Sequence, residues 1–429
     1  MSETKQYLKE AEKYFMPSLM HQYYEDPILV DKTEMEYMYD AEGNKYLDCF
    51  SGILVTNSGH CNPEITEKVI EQTKEIQHVS TVFLTRPMVE LGKKLSEIAP
   101  GNLQKTFFVN SGSEAIDGAV NLARIHTGRD NIVSLRHGYH GRTTTANALT
   151  GVGSWRFIKS DPAGIHYATN PYCYRCPLDK EFPECDFSCV DALEDTIREA
   201  CAGRVAGILI ETIQGVGGYV VPPEGYFKRI KEVAEKYDAL LIIDEVQTGF
   251  GRTGKMFGIE HYDFEPDIVC MAKGIANGFP MGAYIATPEV ADSFTAPSIS
   301  TYGGNPVSSV ATLANIEYIE ENDLAKNAQE VGDYAQEKLK EIADKYEYVG
   351  EVRGKGLMLA IEVLKKGGKE KEPGSEEAVQ LMENLKAEGV IAGKAGTYGS
   401  VVRFAPPLTI NKEQMDVALE AMDKSLSKL

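Results

Sequence analysis

The sequence predicts an α/β fold: a large, mostly parallel sheet with helices on both faces, joined to a smaller α+β unit. Three observations carry this reading. Between about residues 60 and 300, short apolar runs alternate with longer helical stretches, the pattern of successive βα units. Beyond about residue 310 the pattern changes to long helices separated by isolated short strands. The length of 429 residues, at roughly 100–200 residues per domain, suggests two or three domains or one large domain with a smaller attachment.

Taken in order, Glu3–Phe15 reads as a helix. Glu36–Phe50 alternates apolar and polar residues about Glu42-Gly43-Asn44, which predicts a β-hairpin. The strands of the large sheet are Lys105–Asn110, Asn131–Leu135, Val205–Glu211, Ala239–Asp244 and Ile268–Met271. One long helix is expected from Ser308 to about Tyr346, then a strand at Leu357–Val363. The charged, Gly-containing stretch Lys365–Pro373 is a surface loop. A helix over Ser375–Glu388, a strand at Ser400–Phe404 and a terminal helix complete the chain. The implied division is 1–55, a segment contributing to the small domain, 56–309, the large domain, and 310–429, the C-terminal small domain. No internal repeat or low-complexity tract interrupts it.

Composition excludes several function classes. With 44 Lys+Arg against 64 Asp+Glu the net charge is −20, which argues against general nucleic-acid binding and against docking on anionic lipid. No apolar run approaches the roughly 20 residues of a transmembrane helix. The first residues lack a basic segment followed by an apolar one, so no signal peptide is expected and the protein is read as cytoplasmic. Eight cysteines in this length are no disulfide scaffold.

Three places in the large unit carry chemistry. At Asn110-Ser111-Gly112-Ser113-Glu114 a β-rich run ends and a helix begins. Ser111-x-x-Glu114 fits a capping box. The same helix start is an anion site, with free N–H groups and a glycine that lets a ligand approach. A capped helix without a ligand explains the text equally well. Asp244 and Glu211 each follow a buried apolar strand, where ligands of open parallel sheets bind; the alternative is that they cap the next turn. Lys273 directly follows the strand Ile268–Met271 and Ala272. Burial lowers a lysine pKa and makes the amine a nucleophile for carbonyls, although a lysine in an outer loop would also fit. Together, an anion-binding helix start, a strand-end aspartate and a strand-end lysine are what pyridoxal 5'-phosphate needs for its phosphate, ring nitrogen and aldehyde. A nicotinamide site fits poorly, since no G-x-G-x-x-G follows the first strand.

With these residues in place, the chain resembles the class III (omega) aminotransferases, fold-type-I pyridoxal-phosphate enzymes. The matching text is Leu241 through Gly254 (LIIDEVQTGFGRTG), the Lys273 segment, Tyr139-His140-Gly141-Arg142-Thr143, Thr301 through Pro306 (TYGGNP) and Arg403 through Leu408 (RFAPPL), in family order over nearly the whole chain. The resemblance implies that Lys273 holds the cofactor and moves the reacting proton. It implies that Asp244 pairs with the ring nitrogen, that Gln247 contacts the ring hydroxyl with support from Glu211, and that Tyr139 stacks on the ring. Ser111, Gly112 and Ser113 would hold the phosphate. Thr301 would reach the phosphate of a neighbouring subunit, which implies a homodimer or a dimer of dimers with shared sites. Arg403 would clamp the substrate α-carboxylate, with Ile53 and Arg142 as further substrate contacts. The partners implied are small amino acids and 2-oxo acids.

Two features depart from the family pattern. In its 4-aminobutyrate and ornithine branches a glutamate follows the motif resembling Gln214-Gly215 and pairs with the Arg403-type arginine; here that position is Val216. Val216 suits the alanine–glyoxylate branch and predicts a permanently exposed Arg403, whereas Arg142 suits the other branch and a substrate with two acidic ends. Both readings stay open. Cys173, Cys176, Cys185 and Cys189 crowd into a Pro- and aromatic-rich stretch, Asn170–Val190, that reads as a surface insertion. Zinc ligation, reduced thiols and a disulfide are the alternatives, and no metal is assigned. A racemase or epimerase on the same scaffold is the rival activity, and a catalytically dead cofactor-binding protein the rival class.

Overall fold

A computed structural model describes residues 3–19, 23–158 and 163–429. Its centre is a seven-stranded sheet built from β4 (Lys105–Val109), β5 (Asn131–Leu135), β6 (Ile165–Ala168), β7 (Val205–Glu211), β8 (Leu240–Asp244), β9 (Ile268–Met271) and β10 (Gly282–Ala286), in the order β4-β10-β9-β8-β7-β5-β6. The neighbours from β9 through β6 are parallel, and β10 is antiparallel to both β9 and β4. The sheet is therefore mostly parallel, as the alternation predicts. β7, β8, β9 and β10 are buried along their whole lengths, because both faces are covered. Ile208, Ile210, Leu241, Ile243, Val269 and Met271 pack into one core. The intervening Leu209, Ile242, Ile268 and Cys270 pack into a second core with the helix Gly112–Thr127. A run buried on both faces has no polar alternation to show.

Two four-stranded sheets complete the fold. The first is β1 (Val30–Glu34), β2 (Tyr37–Asp40), β3 (Lys45–Asp48) and β13 (Val390–Ile391), with β13 parallel to β3. The predicted hairpin is β2–β3, and an added strand, β1, lies outside it. The second is β11 (Val349–Lys355), β12 (Met358–Val363), β15 (Val401–Phe404) and β14 (Gly393–Ala395), all antiparallel. β6, β10, β11, β13 and β14 have no strong signature of their own. β11, VGEVRGK, is polar and carries two glycines, and pairing with β12 is what makes it a strand.

The structure corrects three local expectations. The single helix from Ser308 is two helices, Pro306–Glu321 and Leu324–Ala343. They part at Asn322-Asp323, where Asp323 takes a left-handed φ of +50, a conformation that Asp and Asn tolerate better than most residues. Ser111 does cap its helix, its hydroxyl accepting from the Glu114 N–H at 3.3 Å, but Glu114 reaches past it to accept from the Asn110 N–H at 3.0 Å. The stretch 170–190 is no free insertion. Tyr172 is buried and its hydroxyl donates to Glu362 at 2.6 Å, while Arg175 pairs with the same carboxylate at 3.0 Å. Its four cysteines are free. Among the described residues, no group of three or more His, Cys, Asp or Glu is arranged to hold a metal ion.

Candidate active site

The carboxyl ends of the parallel strands converge on a cavity of about 350 Å³. Register explains the convergence. Glu211 and Asp244 are paired residues of β7 and β8, and Asp244 is in turn paired with Cys270 of β9, three residues before Lys273. Two acids and an amine that are far apart in the chain thus become neighbours. Ser111, Gly112, Ser113, Tyr139, Arg142, Glu211, Asp244, Gln247 and Lys273 all line the cavity. A larger depression, about 650 Å³, lies at the amino ends of the strands, beside Leu240, Asp267 and Thr287; open α/β sheets place their sites at the opposite ends.

Lys273 leaves β9 through a left-handed residue, φ +48, and is partly buried. Burial pushes its amine down from the ordinary 10.5 to about 8; the Asp244 and Glu211 carboxylates oppose that shift and the Arg403 charge adds to it. The turn that follows is tightly packed: a Cβ on Gly274 would meet Asn57 at 2.5 Å. Asn57 is held by donating to the Phe250 carbonyl at 2.9 Å and accepting from Arg252 at 2.7 Å.

Asp244 is buried, with one oxygen against His140 Nδ1 at 2.8 Å and the other accepting from the Val246 N–H at 3.0 Å. Glu211 accepts from the Tyr139 N–H at 2.9 Å and the Gly215 N–H at 2.7 Å. Burial, with Asp244 beside it, raises its pKa, and the charge of His140 works against that. The next acid, Glu245, is a structural contrast. Its oxygens are taken up by Thr212, Thr248 and the Gly258 and Ile259 N–H groups, so it has no capacity left for a ligand.

The residues present fit pyridoxal phosphate. At the helix start a Cβ on Gly112 would press on Val246 at 3.1 Å, so only glycine leaves the space and the free N–H groups an anion needs. Gln247 Oε1 is buried without a hydrogen-bond partner, and such an atom is costly unless a ligand satisfies it. Tyr139 is half-buried on the wall, its ring edge-on to Trp155 at 5.7 Å.

Three expected residues lie off the cavity wall. Thr301 is exposed and does not line this chain's own cavity. Ile53 is 41 % exposed in a left-handed turn, where Ser51, Gly52, Ile53 and Leu54 all have positive φ; Val55, not Ile53, reaches the wall. Arg403 is not exposed, as the absence of an acid at Val216 suggested, but 1 % accessible. It lies between the rings of Phe50 and Tyr219, at 4.9 and 5.7 Å. Aromatic faces cover it in place of a carboxylate. Sequence reasoning gave no role to His140, Asn57 or Tyr219. His140 stood inside a quoted motif, but its partner Asp244 is 104 residues away.

Against known proteins, a family profile described as class-III aminotransferase matches residues 19–426. Alanine–glyoxylate aminotransferase 2 homolog 2, mitochondrial, of Arabidopsis thaliana is 40 % identical, the match covering 98 % of this chain and 87 % of that one. The leucine/methionine racemase of Thermococcus litoralis is 38 % identical over 94 % of this chain and 91 % of its own. Among solved structures, an amine transaminase from an uncultivated Pseudomonas species in its PLP-bound form superposes with a TM-score of 0.91 at 29 % identity, covering 97 % of this chain and 98 % of that one.

Proposed function

The chain belongs to the class-III aminotransferases, which are pyridoxal-phosphate enzymes, and we propose that it moves an amino group from an α-amino acid to a 2-oxo acid, with Arg403 receiving the carboxylate of both. One observation carries this choice of donor. The Arg403 guanidinium is buried with Nε and Nη1 unpartnered, and among the described residues no carboxylate lies within ion-pair distance of it. A buried, uncompensated cation invites an anionic ligand, and its planar fork matches a carboxylate. The alanine–glyoxylate relative supports the same choice.

When bound, pyridoxal phosphate supplies the aldehyde that a lysine amine engages and the ring that takes up electron density from the substrate α-carbon. Lys273 holds the group and carries the proton off the α-carbon on Nζ; an amine near pKa 8 is neutral often enough to do both. Asp244, oriented by His140, keeps the ring nitrogen protonated. Gln247, which lines the cavity with Glu211, would meet the ring hydroxyl, and Tyr139 would cover the ring face. Ser111, Gly112 and Ser113 bind the phosphate through N–H groups and hydroxyls. Arg142, exposed at the rim, with its N–H donating to Ser113 Oγ at 3.0 Å, meets the distal carboxylate of a larger acceptor such as 2-oxoglutarate.

The partner in this reading is a second copy of the chain. Val82, Phe83, Leu84, Ile299 and Tyr302 are all more than half exposed. Thr81 reaches the Ser300 carbonyl and His78 packs on Tyr302, which brings these exposed apolar side chains together around Thr301, the kind of surface that marks an interface. The domain division at about 55 and 309 belongs to the same reading, supported by β13 joining the sheet of β1–β3. Eight free cysteines suit a reducing compartment, and we place the protein in the cytoplasm, a location cell fractionation checks. Among the described residues, no helix is long and apolar enough to cross a membrane.

The test is a donor-by-acceptor panel: alanine, ornithine, 4-aminobutyrate, β-alanine and taurine against pyruvate, glyoxylate and 2-oxoglutarate. α-Amino donors should lead. Lys273→Ala should abolish turnover, and Arg142→Ala should raise the 2-oxoglutarate KM far more than the pyruvate KM. Full activity in the lysine variant would sink the catalytic assignment, and a clear preference for ω-amino donors would sink the choice of donor. The racemase relative favours a second reading, return of the proton to the α-carbon. Chiral analysis of an α-amino acid incubated without any 2-oxo acid separates the two.

A further inference from the structure

The loop after β7 carries a side chain that the reaction as described does not use. Tyr219 is fully buried, yet its hydroxyl has no hydrogen-bond partner. Buried hydroxyls are nearly always paired, so an orphan asks for an explanation. Its neighbour supplies one. The Arg403 guanidinium lies beside the phenol, 5.7 Å from the ring centre and facing its oxygen, and its Nε and Nη1 are orphans as well. The phenol oxygen can accept from the guanidinium, but the hydroxyl proton and those two nitrogens have no acceptor. Leu54, Ile213, Met358, Ala360, Val401 and Ala405 form an apolar cluster with the Tyr219 ring.

The tyrosine is also held there against its own backbone preference. Its φ is +55, a region that bulky residues avoid and that persists only where the surroundings impose it. The imposing contacts are visible. Gln214 and Val220 bridge across the loop. Gly396 donates its N–H to the Val216 carbonyl at 2.9 Å. Arg353 Nε donates to the Gly218 carbonyl at 2.8 Å, and Arg353 is itself fixed by Glu362 at 2.8 Å. The loop is anchored on both sides of Tyr219.

We propose that the Tyr219 hydroxyl is a second donor to the carboxylate that Arg403 receives, and that the pair makes the site selective for α-amino acids and 2-oxo acids over amines that lack a carboxylate. The inference rests on the reading of Arg403 given above. A carboxylate placed against this pair would satisfy three orphan groups at once. In an apolar enclosure each such charge-assisted bond counts for more than at a surface. An amine without a carboxylate leaves all three unmet.

The experiment compares wild type, Tyr219→Phe and Arg403→Ala as holoenzymes. The substrates are alanine and a primary amine with no carboxylate, such as 1-phenylethylamine, each with pyruvate. Titration calorimetry with propionate as a non-reacting carboxylate gives a readout independent of turnover. Tyr219→Phe should raise the alanine KM about tenfold or more, the size of one hydrogen bond to a charged group, with little change in kcat. It should weaken propionate binding by a similar factor and shift the preference toward the amine. Because the hydroxyl proton has no protein acceptor, the melting temperature should change little. Alanine KM and propionate affinity within twofold of wild type in Tyr219→Phe, while Arg403→Ala loses both, would overturn the Tyr219 assignment alone. No loss in Arg403→Ala would overturn the underlying reading and this inference with it. Equal loss of alanine and amine turnover in Tyr219→Phe would mean a structural role and would also overturn it.

Discussion

Lys273 shows what a single residue takes from its setting. As a free side chain its amine would stay charged to about pH 10.5; enclosed beside β9 it titrates near 8. Between these two values the unfolded chain binds more protons than the folded one, so folding stability rises with pH through that window. Below about pH 8 the charged amine is a cost, on the order of 3 kcal/mol for a shift of this size. In cofactor-free protein, the denaturation midpoint should rise between pH 8 and 10 relative to Lys273→Met, which has no amine to desolvate. Parallel pH curves for the two proteins would contradict the shifted amine. The price of keeping a reactive lysine is thus a measurable pH dependence.

At the scale of elements, the loops between strands do the positioning. β7 and β8 bring Glu211 and Asp244 into register, but the loop after β7 needs outside support. That support runs through Glu362 on β12. Its carboxylate is buried, accepts from Tyr172, Arg175, Arg353 and Ser400, and so ties the 170–175 stretch, β11 and the Gly218 loop together. Burial by itself would raise its pKa, but the Arg353 charge and the Tyr172 bond outweigh it, and the carboxyl is held below its usual range. Glu362→Gln keeps the shape but removes the charge that the half-buried Arg175 and the buried Arg353 share, leaving Arg353 only Glu351. It should destabilise the protein by about 3–5 kcal/mol, the cost of breaking a buried ion pair, seen as a lower urea midpoint. A shift equivalent to less than about 1 kcal/mol would place the network among weak surface pairs.

The whole molecule carries a net charge of −20 and binds anions. In the proposed reading it does so with Lys273, Arg403, Arg142 and a helix N-terminus near one end of the central sheet, where local field outweighs the distant negative surface. The apolar surface around Thr301 belongs to this scale as well. In the proposed homodimer it is the natural covering for Phe83 and Leu84, which are 66 % and 84 % exposed in the single chain. Replacing both by Asp should yield monomers by sedimentation velocity and, because Thr301 of one subunit is assigned to the phosphate of the other, should lower cofactor retention together with activity. A double variant that stays dimeric would move the interface elsewhere.

How much of this was legible beforehand follows from the range of each interaction. The buried strands were legible because an apolar run ending in a polar residue is a local signal: Val205–Glu211 and Ile268–Met271 were read to the residue, and Ala239–Asp244 missed only its first. Asp244, Glu211 and Lys273 could be read as candidates for the same reason. The break in the helix expected from Ser308 to about Tyr346 is not legible because Asn322-Asp323 offers only a weak breaker; the left-handed turn at Asp323 parts it into two. β11 and β14 were unread because their pairing partners, not their composition, make them strands. The sequence by itself determined the class of fold, the cofactor and the candidate side chains for it, since each is written in a short stretch of text. Only the tertiary structure decided that Glu211 lies beside Asp244, that His140 orients that aspartate, and that Arg403 is sealed between Phe50 and Tyr219 with unpaired donors. Those are facts about residues tens to hundreds of positions apart, and burial without a partner exists only once the chain has closed around the group.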